Sequence, residues 1–318
     1  MSLLESALGI GGRWIPSARN RLLILIYHRV HASQDPLFPR EVTAAVFDWQ
    51  MELISRHLTP LPLDEAVERC MRNDLPPRAV AVSFDDGYAD NCTIALPILE
   101  KHAVPATFFI TTGYLNGGRM WNDTIIETVR RLSPGPIRAN SMAWELSADS
   151  DQERAEVCRK IIQRVKHLDQ TIRQDLVDEL AAACADPLPD DLMMTHAQVR
   201  ELAAAGMGIG GHTVSHPILR TLDPVTAENE INDGKSELEA LVGRPVTLFA
   251  YPNGKPGDDY DPGHVDAARR AGFDAAFSTT RGVVSPASDR WQLPRFTPWD
   301  RSRERFLARA FLEYRNPA

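Results

Sequence analysis

The chain is punctuated by apolar runs too short for buried helices, each followed by a stretch with helical periodicity. LLILIYHRV (22–30), VAVSF (80–84), PATFFIT (105–111), GMGIGGH (206–212), VTLFAYP (246–252) and DAAFSTT (274–280) read as buried strands. Between them, NCTIALPILEKHA, HAQVRELAAAG, TAENEINDGKSELEALVG and HVDAARRAG read as amphipathic helices, with glycine at expected C-cap positions. Strands alternating with helices imply an α/β fold, with a mainly parallel sheet and helices packed outside it. Six or seven such strands make a barrel or part of one. The 318 residues are read as one such domain.

One segment breaks the rhythm. Residues 116–195 show only helical pattern, as in SDQERAEVCRKIIQRVKHLDQTIRQDLVDELAAACA, and are read as a helical insertion between two core strands. SPGPIRANS and ADPLPDD punctuate it.

The net charge of −8 argues against nucleic acid, because a phosphate backbone demands a basic footprint. Cys70, Cys92, Cys158 and Cys184 form no CxxC pair, which suits reduced thiols. The opening MSLLESALGIGGRWIPSARN lacks a basic start and a sustained apolar run, so no signal peptide is read there. LLILIYHRV is half the length of a membrane span. A cytoplasmic protein is expected.

The chemistry-bearing residues stand where strands end. Asp85 and Asp86 follow VAVSF, His212 closes GMGIGGH with His216 four positions on, Tyr251 to Asn253 close VTLFAYP, and His28 lies in the first run. In parallel barrels the carboxyl ends of the strands share one rim, so these distant residues converge there. Gly210, Gly211 and Pro217 favour a strand-to-loop corner for HTVSH rather than a helix. Two imidazoles and a carboxylate make a three-ligand site for a divalent metal with positions left open. One aspartate can then ligate while its neighbour stays free as a general base for hydrolysis. Each motif alone has an ordinary explanation: a turn for Asp-Asp-Gly, a helix cap for Asp90 or Asn91, surface or packing roles for the histidines. Their joint placement favours chemistry.

SFDDGYADN, HTVSH and FAYPNG, in this order, resemble the polysaccharide deacetylases with a NodB-type domain, carbohydrate esterase family 4. The resemblance implies a distorted (β/α)7 barrel that removes acetyl groups from N-acetylated sugars with one divalent metal ion. Zinc is the expected ion, and the ligand set also accommodates nickel, cobalt or iron. By position, Asp85 is implied as catalytic base, Asp86, His212 and His216 as ligands, and Asn253 as the backbone donor to the oxyanion. The arginine of the family's third motif is replaced by Ala250, and Arg295 in WQLPRFTPWD is the candidate substitute. The late Leu-x-His motif is missing. The chain resembles a permuted subgroup in which an N-terminal Tyr-His supplies the general acid, which makes His28 that residue here.

Tyr251, Trp121 and Trp299 are candidate substrate contacts, with packing the alternative for the tryptophans. The loop DDYDPG is read as a solvated turn or a pocket wall. RSRERFLARAFLEYR is read as an amphipathic helix packed on the barrel, with weak peripheral membrane contact as the alternative. The expected partner is an N-acetylated carbohydrate. Other readings are hydrolysis of another amide such as a cyclic ureide, a non-haem iron oxygenase, and a glycan-binding barrel with a dead site. The alternating α/β pattern and the free aspartate argue against the oxygenase, and the presence of all four motif residues against the dead site.

Overall fold

A computed structural model describes residues 19–133, 136–139, 142–147 and 149–315. Residues 1–18, most of the stretch read for a targeting signal, lie outside them. The core is a parallel sheet of β1 (Leu22–Tyr27), β3 (Ala79–Phe84), β4 (Ala106–Ile110), β7 (Gly208–Gly211), β8 (Leu248–Ala250) and β9 (Ala275–Phe277), in that spatial order. A two-residue strand, β2 (Thr59–Pro60), pairs beside β3. The segment 293–296 carries the sheet back to its start. Leu293 bridges Phe277 and Phe296 bridges Leu25, both in parallel sense, so the barrel closes between β9 and β1.

Period-two alternation sorts the strand residues into two layers. Leu22, Ile24, Ala79, Ala81, Phe109, Ala250, Phe277 and Leu293 cluster together, and α2 (Leu63–Met71) packs Leu63, Ala66, Val67 and Cys70 against them. The intervening Leu23, Leu25, Val80, Val82, Phe84, Phe108 and Ile110 cluster with the outer helices. These include α1 (Ala44–His57), α3 (Leu96–His102), α7 (His196–Ala204), α8 (Pro224–Val242) and α9 (Pro262–Arg270). The C-terminal helix α10 (Arg303–Glu313) buries Phe306, Leu307, Ala310 and Phe311 in this outer layer, so packing is its observed role. Among the described residues, no helix is long and apolar enough to cross a membrane.

The insertion departs from expectation. Its helices α4 (Trp121–Arg131), α5 (Asp151–Val165) and α6 (Gln170–Ala182) form their own small core, but it also contains an antiparallel hairpin, β5 (Pro136–Ala139) with β6 (Met142–Ser147). The end of the MAWELS run, Trp144 to Ser147, alternates apolar and polar residues, a short strand signal masked by the neighbouring Pro, Gly and Asn. Arg295 follows β9, within the segment that closes the barrel.

Candidate active site

Along β3 the inward positions run Ala79, Ala81 and Ser83, and the same alternation carries the Asp85 side chain inward at the rim. Asp86 should then point outward. It does not: its backbone takes φ of +79°, and its carboxylate lies against His212 and His216. Thr213 (φ +65°), His216 (φ +52°) and Asn253 (φ +59°) are also left-handed non-glycine residues of this rim. Such conformations cost of order 1–3 kcal/mol each and persist where surrounding structure dictates them.

Asp85 is buried and held by Arg295 through two hydrogen bonds, Nη1 to Oδ1 at 2.6 Å and Nη2 to Oδ2 at 2.7 Å. Arg295 is itself buried, and its Nε donates to the Ser278 carbonyl at 3.0 Å. Burial alone would raise the Asp85 carboxyl; the Arg295 guanidinium, then His212, hold it below the ordinary carboxylate range. Asp85 is therefore ionised near neutral pH, with both oxygens fixed.

Asp86 Oδ1 lies 3.4 Å from His212 Nε2 and 3.3 Å from His216 Nε2. Ligand atoms about 2.1 Å from a common tetrahedral centre are separated by about 3.4 Å, so this trio fits a zinc-like ion. The three side chains also form the one group of potential metal ligands found among the described residues. His212 Nδ1 lies 2.7 Å from the Ala250 carbonyl, which favours the tautomer that leaves Nε2 free to ligate. Burial would raise Asp86, but a hydrogen bond to His212 and the charge of His216 hold its carboxyl well below the usual range. Burial pushes His216 down to about 4 against the pull of Asp86, so its ring is neutral at neutral pH. Burial would lower His212, but Asp86 and Asp85 raise it.

His28 leaves β1 beside β3, and its carbonyl accepts from Asn91 Nδ2 at 2.8 Å. Asp90 accepts from Arg29 Nε at 2.8 Å and from the Val30 N–H at 3.1 Å, so the residues read as helix caps instead anchor the exit of β1. The His28 ring faces solvent, near enough for its charge to act on Asp85, Asp86 and His216. Asn253 follows β8, and among the described residues none accepts a hydrogen bond from its N–H.

The substrate candidates divide. Tyr251 is fully buried, stacked on Tyr260 at 3.8 Å, with its hydroxyl donating to the Trp291 carbonyl. It is a core residue, because the turn after β8 directs Asn253 rather than Tyr251 to the rim. Trp121 is buried in the core of the insertion with Ile125 and Val129, which share its helix face, and the Arg173 guanidinium lies 4.8 Å from its ring centre. Trp299 alone of the three is exposed, at 59%. In the DDYDPG loop, Asp259 and Tyr260 are buried and Asp261 caps α9, so the loop is not the solvated turn expected.

Sequence reasoning missed Glu230. From α8 its carboxylate accepts from the Val214 N–H (2.9 Å), the Ser215 N–H (2.8 Å) and the Ser215 hydroxyl (2.6 Å), clamping the corner between the two histidines. One turn along, a Cβ on Gly234 would lie 2.9 Å from the Thr213 carbonyl group, so glycine is what lets the helix approach this closely. A glycine four residues after a glutamate inside a long helix was the available signal.

The family model for polysaccharide deacetylase matches residues 72–183 and 185–276. The chain belongs to the polysaccharide deacetylase family. This deacetylase is 22% identical over 275 residues to the putative polysaccharide deacetylase YxkH of Bacillus subtilis, covering 86% of this chain and 70% of that one. Its fold resembles the Streptococcus pyogenes deacetylase PplD, solved with acetate, at a TM-score of 0.61 and 20% identity, covering 92% and 98% of the two chains. IcaB from Ammonifex degensii is similar at a TM-score of 0.58 and 20% identity, covering 91% and 95%. The deacetylase match contains Asp85, Asp86, His212, His216 and Asn253. His28, Arg295 and Trp299 lie outside it.

Proposed function

We propose that this protein hydrolyses the N-acetyl group of an amino sugar in a glycan, oligosaccharide or glycan precursor, using one divalent metal ion. The observation that carries the reading is an ionised carboxylate, Asp85, fixed by Arg295 directly beside a tetrahedrally spaced Asp86–His212–His216 trio. An ion held by that trio would polarise the acetyl carbonyl and lower the pKa of the attacking water.

The chain's own residues account for the proton movements. Asp85 accepts a proton as the water oxygen bonds to the carbonyl carbon. The Asn253 N–H donates to the oxygen that gains negative charge, a contribution of about 3 kcal/mol where such a donor is preset. The imidazolium of His28 protonates the sugar nitrogen as the C–N bond breaks, releasing acetate and a free amine. Hydrolysis of a cyclic ureide would use the same donors, but the family relationship supports the acetylated sugar.

The test is elemental analysis of wild type and His216→Ala side by side, with acetate release from N-acetylglucosamine oligomers measured in parallel. The expected result is near-stoichiometric metal that drops in the variant, with turnover abolished in Asp85→Asn and reduced in His28→Ala. No metal in either protein after incubation with zinc, cobalt and nickel would sink the mechanism. Unchanged turnover in His28→Ala would remove only its role as acid.

A further inference from the structure

Beside the rim lies a groove of about 920 Å3, away from the metal ligands, which no step of the hydrolysis uses. Its walls come from three places: the loop after β1, the first turns of α5, and Trp299. Leu37 and Pro39 supply apolar surface, while Arg40, Asp151 and Arg159 supply charged groups around the opening. Both flanks are fixed. Arg130 holds Asp35 through Nη1 at 3.0 Å and Nη2 at 2.7 Å, and Arg301 donates to the Pro39 carbonyl at 2.6 Å.

Position relates the groove to the chemistry. Arg295 grips the catalytic base, and Trp299 is only four residues further on, so their backbones are at most about 14 Å apart. The closing segment runs parallel to β1, so the chain emerges at the rim from which His28 also leaves. Among the described residues Trp299 is the one tryptophan with most of its surface in water. An exposed indole that lines one groove with Leu37, Phe38 and Pro39 and with Arg and Asp side chains suits a pyranose ring, which offers an apolar face and a hydroxyl perimeter. A volume in the range of small-ligand sites leaves room for more than one such ring.

We propose that this groove is a distal saccharide subsite, binding sugar units of the substrate a few residues along the chain from the acetyl group being removed. The inference rests on the deacetylase reading and extends it: the substrate is an oligomer or polymer, and the insertion contributes a wall of its binding cleft through α5.

The experiment uses β-1,4-linked N-acetylglucosamine oligomers of one to six units. Acetate release is followed for wild type, Trp299→Ala and Trp299→Phe, and calorimetric binding of the hexamer for Asp85→Asn with and without Trp299→Ala. The wild type should gain in kcat/KM with chain length. Trp299→Ala should lose that gain, roughly tenfold on the hexamer and expressed in KM rather than kcat, while Trp299→Phe retains most of it. Hexamer binding should weaken by a similar factor. Acetate release with the same length dependence in Trp299→Ala overturns the subsite and leaves the deacetylase reading intact. Trp299-dependent hexamer binding without acetate release supports the subsite and overturns the reaction. Neither binding nor release overturns both.

Discussion

Replacing Arg295 by methionine removes one partner from a fully buried, doubly hydrogen-bonded ion pair while roughly preserving volume. Breaking such a pair costs about 3–5 kcal/mol, because the remaining charge is stranded without water or counter-charge. Asp85 relieves that penalty by taking a proton. At about 1.4 kcal/mol per pKa unit, the loss corresponds to a rise of about 2–4 units, and burial without the guanidinium leaves the carboxyl above its ordinary value. The sign for stability follows. In the wild type the depressed Asp85 pKa contributes stability that is present above about pH 4 and lost as pH falls through the folded value. In Arg295→Met the folded pKa lies above the unfolded one, so the variant loses stability as pH rises between them. The destabilisation measured by urea unfolding should therefore be several kcal/mol at pH 8 and clearly smaller at pH 4. The acid limb of kcat/KM should move up by at least two pH units, because the base must be ionised to accept a proton. Adding Asp85→Asn should recover much of the lost stability without restoring turnover, since it removes the stranded charge. An unshifted acid limb together with equal destabilisation at both pH values would refute the reasoning.

Two further perturbations probe the surroundings of the metal centre. Glu230→Gln keeps shape but weakens three charge-assisted hydrogen bonds to the histidine corner, and should lower metal affinity about 10–100-fold in a chelator competition; unchanged affinity would reduce the clamp to ordinary packing. Burial raises the Asp123 carboxyl to about 7, well above its unfolded value, so the metal-free wild type should lose stability as pH rises from about 4 to 7. Asp123→Asn mimics the neutral acid and should flatten that part of the profile in denaturant melts at pH 5 and pH 8; parallel profiles for the two proteins would place the titration elsewhere.

The sheet was legible because each buried strand leaves a short apolar run, and all six runs read from the sequence contain a strand. Their ends were overextended: LLILIYHRV stops pairing after Tyr27, where the chain turns to present His28. The closing segment was not legible, since QLPRF carries a proline and a charged residue and joins the sheet through single bridges rather than a ladder. The metal trio was readable because motif spacing reports local geometry. The backbone reversals that make it work are not encoded in residue type, since Asp and His take positive φ only occasionally and the β-branched Thr213 hardly ever, so tertiary contacts impose them. Tyr251 misled for a related reason: position in a motif does not reveal which side of a turn a ring will occupy.

The site is assembled from two parts of the chain that meet only through barrel closure. The family match covers the proposed metal ligands Asp86, His212 and His216, the proposed base Asp85 and the proposed oxyanion donor Asn253. The proposed acid, His28, and Arg295, which holds Asp85 ionised, come from just after β1 and from the closing segment, far apart in sequence. Those ends are neighbours because Ile26 donates to the Phe296 carbonyl at 3.0 Å and Phe296 to the Ile24 carbonyl at 2.7 Å. The catalytic strand β3 pairs with β1 on its other side along all six residues. Asp85 thus stands one strand from His28 and two from Arg295, close enough for both to act on it although they lie 57 and 210 positions away in sequence. Barrel closure, not motif content alone, gives Asp85 the counter-charge that keeps it ionised. A chain that kept all three motifs but lost the pairing of 293–296 with β1 would keep Asp86, His212 and His216, yet would leave Asp85 without its counter-charge.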